Sequence, residues 1–189
     1  MSHRLLHADR LLLVLVLLAG CGSEASGAAS GEQKTPRPEE SMTTDLPTSP
    51  GPAGLECGAP YEPTTGGALA VTGRFPTAVS ASEQMVSGTV SVAAKRSEAR
   101  GVVTPQAEAF LVRDGRVVTL PMPQDAVGQR LDLTDGRVEQ MPALATLVPC
   151  SGGGRLGTGT YDLYVRVVLN DDDGSRADSL GGPWPLEVR

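Results

Sequence analysis

The chain has 189 residues, a formal net charge of −6 and two histidines. An acidic chain with no basic run lacks the electrostatic footprint of a nucleic-acid binder. Both histidines, His3 and His7, fall in a leading segment that reads as removable, so the mature chain has none for Ser-His-Asp or Cys-His chemistry, nor for the commonest nitrogen ligand of zinc, copper or iron.

That leading segment has three parts. Arg4 and Arg10, with His3 and His7, make a positive start, Leu11 to Leu18 is an unbroken apolar run, and Ala19-Gly20 places small residues before Cys21. The run is too short to span a hydrocarbon layer of roughly 30 Å, which needs about 20 residues, and the layout is that of a secretory signal. Leu18-Ala19-Gly20-Cys21 resembles the lipobox of bacterial lipoproteins. The resemblance implies diacylglycerol on the Cys21 sulfur, cleavage before Cys21 and acylation of the new amino group. The alternative is a simple signal peptide, residues 1–20, in which Cys21 is incidental. Two acyl chains suffice for stable anchoring where one is marginal. Arg4, Arg10 and Asp9 would leave with the signal, one net positive charge, moving the formal charge from −6 to −7. Anionic headgroups would not attract such a chain, so lipid rather than charge is expected to hold it at the extracytoplasmic face of the cell membrane.

Residues 22–54 are rich in Gly, Ser, Ala, Thr, Pro, Glu and Gln, without an aromatic residue or an apolar period. Pro36, Pro38, Pro47, Pro50 and Pro52 rule out a regular helix. Such a segment buries too little surface to offset its ordering entropy and is expected to be a disordered tether, stiffer in its proline-bearing half. With Cys21 assigned to lipid, Cys57 and Cys150 remain, and in an oxidising exterior they are expected to pair. A redox or metal-binding pair is the alternative, but neither a CxxC spacing nor a mature histidine accompanies it.

All aromatic residues fall after Gly54: Tyr61, Phe75, Phe110, Tyr161, Tyr164 and Trp184. They place one packed domain at residues 55–189. Its apolar residues recur mostly at every second position, which predicts strands. Leu69 to Phe75 is the first, closed by Pro76, and Val86 to Val92 is the second. Ala107 to Val112 is followed by Asp114-Gly115, a hairpin signal leading into Val117 to Leu120. Gln129 to Leu133 ends at Asp135-Gly136, and Leu144 to Cys150 is a further candidate. Tyr161 to Leu169 is the strongest strand, Asn170 to Gly174 a turn, and Arg176 to Leu180 with Trp184 to Val188 close the domain. Gln124 to Gly128 could make one short helical turn. Short strands separated by Gly, Pro and Asp-Gly predict an all-β fold, a single antiparallel β-sandwich.

The stretch Gly157-Thr158-Gly159-Thr160-Tyr161-Asp162-Leu163-Tyr164-Val165 resembles the approach to a late strand of immunoglobulin-like sandwiches, with Tyr161 in the place of the tyrosine that bonds backbone at the corner. The cysteine usual two residues on is absent, because position 163 is Leu. The same stretch is similar, at fold level, to the sandwich of the intracellular proteinase-inhibitor family. The lipobox, tether, Ala/Gly/Arg/Val-rich composition and closing Gly-Gly-Pro-Trp-Pro-Leu-Glu-Val together resemble uncharacterised lipoproteins of high-GC Gram-positive bacteria.

Three clusters invite chemistry. Asp171-Asp172-Asp173-Gly174 could hold a hard cation such as Ca²⁺, but position 180 is Leu where an EF-hand loop needs Glu, and a solvated turn is expected. Ser151-Gly152-Gly153-Gly154-Arg155 lacks the lysine of a phosphate loop and reads as a flexible connection. Trp184, between two prolines, would anchor a partner if exposed and is expected to be buried at the start of the last strand. No catalytic residue and no cofactor is assigned. The expectation is a non-enzymatic, lipid-anchored envelope module with a protein partner. The alternatives are an envelope hydrolase using carboxylates alone and a small-ligand or Ca²⁺ binder.

Overall fold

A computed structural model of the chain describes residues 54–64, 66–125 and 127–189. The expected export segment, residues 1–20, Cys21 and the expected tether up to residue 53 lie outside the described residues. Every regular element that is described is a strand: β1 (Leu69–Arg74), β2 (Ala78–Val79), β3 (Met85–Ala94), β4 (Glu98–Val103), β5 (Ala107–Arg113), β6 (Arg116–Val117), β7 (Gln129–Thr134), β8 (Val138–Thr146), β9 (Gly159–Asp171) and β10 (Arg176–Val188). The fold is therefore all-β, as alternation predicts. No helical turn forms among the described residues of 124–128.

Hydrogen bonds join all ten strands into one curled sheet, in the order β1-β3-β8-β5-β9-β10-β2, with β6 on β5 and with β4 against both β7 and β9. At the seam of the curl, Leu69 of β1 donates its N–H to Ser179 Oγ of β10 at 3.0 Å. The expectation of a wholly antiparallel sheet needs correction. Ala107 and Glu108 of β5 run parallel to Ala143 and Leu144 of β8, and Ala78 and Val79 of β2 run parallel to Glu187 and Val188 of β10. Both parallel ladders are two residues long, one inside the sheet between β5 and β8 and one at its end between β2 and β10.

Both Asp-Gly signals act as tight turns. Asp114 and Gly115 have φ of 51° and 70°, and Asp135 and Gly136 of 54° and 75°, the left-handed pair that a type I′ turn requires. The first makes the β5–β6 hairpin. The second does not, because β7 pairs with β4 while β8 pairs with β3. Strand β6 stops at Val117, short of the expected Leu120. The N–H groups of Val118 and Thr119 both reach the Leu111 carbonyl, and Thr119 Oγ1 accepts the Leu111 N–H at 2.9 Å, so a side chain replaces the ladder.

The core follows from alternation. On β9, Tyr161, Leu163, Val165, Val167 and Leu169 enter the main cluster with Leu69, Val90, Val92, Leu111, Leu133 and Leu186. Each fully buried side chain of this size stabilises by roughly 1.5–3 kcal/mol. Beside it, the Phe75 and Trp184 rings meet at 5.2 Å between centroids. A side chain at Gly88 would fall on the Phe75 ring, and one at Gly181 on Trp184 and Val71.

The other face of β9 is covered as well. Tyr164 packs with Leu55, Phe110, Val112 and Val117, and Tyr61 closes over them. The segment from Leu55 to Tyr61 thus lies across the outer side of the sheet. Its backbone is bonded there, with Gly58 N–H to the Val117 carbonyl and Tyr61 N–H to the Gly115 carbonyl, both at 2.8 Å.

Candidate functional site

Cys57 and Cys150 form a disulfide across 93 residues of sequence. It joins the segment that covers the outer face to the end of the connection after β8. Trp184 is half-buried, set on Phe75 at the margin of the core. It is neither fully enclosed, as expected, nor a free anchor. The Gly181/Trp184 shift in the β9–β10 register lets Gly182-Pro183 stand out from the sheet, and the strand resumes at Trp184 opposite Leu163.

The three aspartates of the last hairpin do not gather around a common point. Asp171 Oδ1 accepts the Asp172 N–H, and Asp173 Oδ1 accepts the Ser175 N–H, each at 2.8 Å. Asp172 meets Arg130 through two bonds of 2.8 Å. Their carboxylates are used as turn acceptors and as an ion pair, and no cluster suited to a metal ion occurs among the described residues. Asp173, fully exposed, is held below the ordinary carboxylate range chiefly by the Ser175 backbone N–H.

One buried cation went unforeseen. Alternation placed Arg166 on the solvent side of β9, yet it is 6% exposed. Its Nε donates to Glu108 Oε2 at 2.7 Å from β5, and its Nη1 lies 3.4 Å from Asp178 Oδ2 on β10. Tyr61, stacked edge-on against Phe110 and Tyr164, has its phenol pKa pushed up to about 12 by burial, with the Tyr164 phenol adding to the shift and Arg166 opposing it. Burial also raises Tyr164. The sequence signal for this second layer is an aromatic residue on the supposedly polar face of β9, at Tyr164.

The concavity with the most chemistry lies at the disulfide. It encloses about 380 Å³ between the β5–β6 hairpin and the 150–157 connection. Arg113, Arg116 and Arg155 line it, together with a single carboxylate, Asp114, whose side chain is 93% exposed. Arg113 is seated by Tyr161: its Nη1 donates to Tyr161 Oη at 3.1 Å, and its guanidinium carbon is 5.2 Å from the ring centroid. Arg116 Nη1 donates to the Gly58 carbonyl at 2.9 Å. Gly152, Gly153 and Gly154 have φ of 81°, 94° and 102°, a run that residues with a Cβ rarely adopt, and it turns the chain so that Arg155 faces the cleft and Leu156 is buried. Tyr161 Oη donates to the Gly157 carbonyl at 2.6 Å, the corner bond that the resemblance to immunoglobulin-like sandwiches implies.

No family model matches the chain, and no curated protein matches it. Distant similarity to solved structures exists. A Northeast Structural Genomics Consortium target is 14% identical with a TM-score of 0.40, covering 62% of this chain and 83% of its own. A β-glucosidase from Listeria innocua is 10% identical with a TM-score of 0.36, covering 68% of this chain and 17% of its own. Spo0M, a sporulation control protein from Bacillus subtilis, is 19% identical with a TM-score of 0.35, covering 65% of this chain and 50% of its own. All three scores are low, and none assigns this chain a family or an activity.

Proposed function

We propose that this chain is a lipid-anchored, non-enzymatic module that holds an immunoglobulin-like β domain on the extracytoplasmic face of the membrane, for binding a partner in the envelope. Lipid on Cys21 is the anchor, the proline-bearing tether is the spacer, and the domain carries the binding surface. The observation that carries this reading is the Cys57–Cys150 bridge. Disulfides persist in oxidising compartments, and this one fastens the domain's entrance, three residues after Gly54, to the connection between β8 and β9. A pull on the tether that passes Leu55 is borne at Cys57 by a covalent bond instead of peeling Tyr61 from the sheet. One feature supports the immunoglobulin-like part, the Tyr161 corner bond.

The test is lipid labelling and fractionation. In a bacterium that processes lipoproteins, the chain with Cys21 is expected to take up labelled palmitate and sediment with membranes. Cys21→Ala should lose both properties. An unlabelled, soluble product from the unaltered chain would end the anchored reading.

A further inference from the structure

We propose that the cleft beside the Cys57–Cys150 disulfide is a binding site for an oxyanion, a phosphate group carried on an apolar body. This goes beyond the display reading, which names no ligand. The argument begins with where the arginines of the domain spend their charge. Arg100, Arg130, Arg137, Arg166, Arg176 and Arg189 each lie within 3.4 Å of a carboxylate, whereas Arg74 and Arg96 stand apart on the surface. The arginines of the cleft are held differently. Arg116 rests on a backbone carbonyl, and Arg113 on a phenol oxygen and its ring, with Asp114 3.7 Å away and turned to solvent. Neutral acceptors position a guanidinium without cancelling its charge. Arg155 is delivered to the same 380 Å³ by a loop of three left-handed glycines.

Three guanidinium groups line one concavity with a single carboxylate, the solvent-exposed Asp114, among them, and like charges so placed repel one another. The arrangement is stable against that repulsion when an anion sits between the guanidinium forks, which present paired N–H donors in the geometry that phosphate oxygens accept. The rest of the lining sets the second half of the ligand. Val118 and Pro149 are half-buried beside the disulfide, and they offer apolar surface within the same cleft. An ester of phosphate with a hydrophobic group therefore fits better than free phosphate does.

Phenyl phosphate is the probe, titrated into the full chain with its disulfide intact, at fixed ionic strength, by calorimetry and by NMR shift mapping. Saturable binding is expected, with shifts at Arg113, Arg116 and residues 150–157. Inorganic phosphate should bind about tenfold more weakly, the effect of roughly 55 Å² of apolar surface left in water. Arg155→Gln and Arg116→Gln should each weaken phenyl phosphate by about tenfold, the loss of one charge-assisted hydrogen bond. Arg96→Gln, which removes an equal charge outside the cleft, should leave affinity unchanged. Arg116→Gln could loosen the Gly58 segment, so its melting temperature is measured too. Arg155 makes no such bond and keeps the test decisive alone. The proposal is overturned by any of three results: no saturable binding, equal affinity for the two phosphates, or equal losses in the Arg155 and Arg96 variants.

Discussion

Tyr161 gives its hydroxyl proton to the Gly157 carbonyl, four residues earlier, while the same oxygen accepts from Arg113 Nη1. One side chain closes the entry to β9 and seats a cation of the cleft. Tyr161→Phe keeps the ring, and with it the Arg113 stack, but removes both hydrogen bonds. A loss of about 1–3 kcal/mol is expected, seen as a melting temperature lower by several degrees. An unchanged melting temperature would mean that the corner bond stabilises nothing.

The disulfide makes a separate prediction. Cys57→Ser with Cys150→Ser removes a closure over 93 residues of sequence separation. On the chain-entropy account this costs about 4–5 kcal/mol. The Gly58 and Tyr61 backbone bonds remain, so the β circular dichroism of the folded protein should persist while the urea midpoint falls. Loss of the β signal in water would show that the bridge is needed to form the fold and not only to stabilise it.

Arg166 and Glu108 should behave as a coupled pair. Glu108→Leu removes the carboxylate closest to a guanidinium whose side chain is 8% exposed, and Arg166→Met takes that cation from Glu108, 17% exposed. Breaking a buried pair from one side costs about 3–5 kcal/mol, whereas replacing both partners with apolar groups can be nearly neutral. The double variant should therefore recover most of the loss of Glu108→Leu in urea melts. Additive losses would contradict the pairing.

Alkaline pH should weaken the outer layer. Tyr61 titrates near 10 when unfolded and about 12 when folded. Folding therefore favours its protonated form. That contribution is complete below pH 10 and is lost as pH rises toward 12, because the unfolded chain ionises first. Melting temperature should hold to about pH 9 and then fall, and Tyr61→Phe should fall less steeply across the same interval. The phenolate absorbance of Tyr61 should appear later than that of a free tyrosine.

Calcium should do nothing at the last hairpin. The Asp171 and Asp173 carboxylates already accept turn N–H groups, and Asp172 holds Arg130. Millimolar Ca²⁺ should leave the melting temperature unchanged both in the parent chain and with all three aspartates changed to Asn. A shift confined to the parent would restore the cation site.

Local rules carried much of this fold. Strict alternation marks β3 and β9 because each keeps one continuous apolar face, and both Asp-Gly pairs take the backbone angles that residue type dictates. Strand β4 was hidden because its buried face, Ala99, Gly101 and Val103, has only small residues before Val103, and a Cβ at Gly101 would fall on the Asn170 carbonyl. Strand β8 was placed too late because Pro142 argues against a central strand. Its ladder to β5 spans only Ala143 and Leu144, so Pro142 sits on a stretch that is effectively an edge. The cleft was least legible. Arg113, Arg116 and Arg155 belong to two distant segments, brought together by the disulfide, by Tyr161 and by the Cys150 N–H on the Val118 carbonyl. Ser151 to Arg155, dismissed for lacking a phosphate-loop lysine, supplies its charge through Arg155 instead.

The rings of Phe75 and Trp184 lie where Gly73, Gly88 and Gly181 leave room for them, with three glycines on separate strands serving as the socket for two aromatics. None of these positions can change alone. A methyl group at any of the three glycines presses on a ring, and a smaller residue in place of a ring opens a void that a larger one at a glycine would fill. Descendants of this chain should therefore vary these sites in concert, and that covariation would identify its kin after overall identity has decayed.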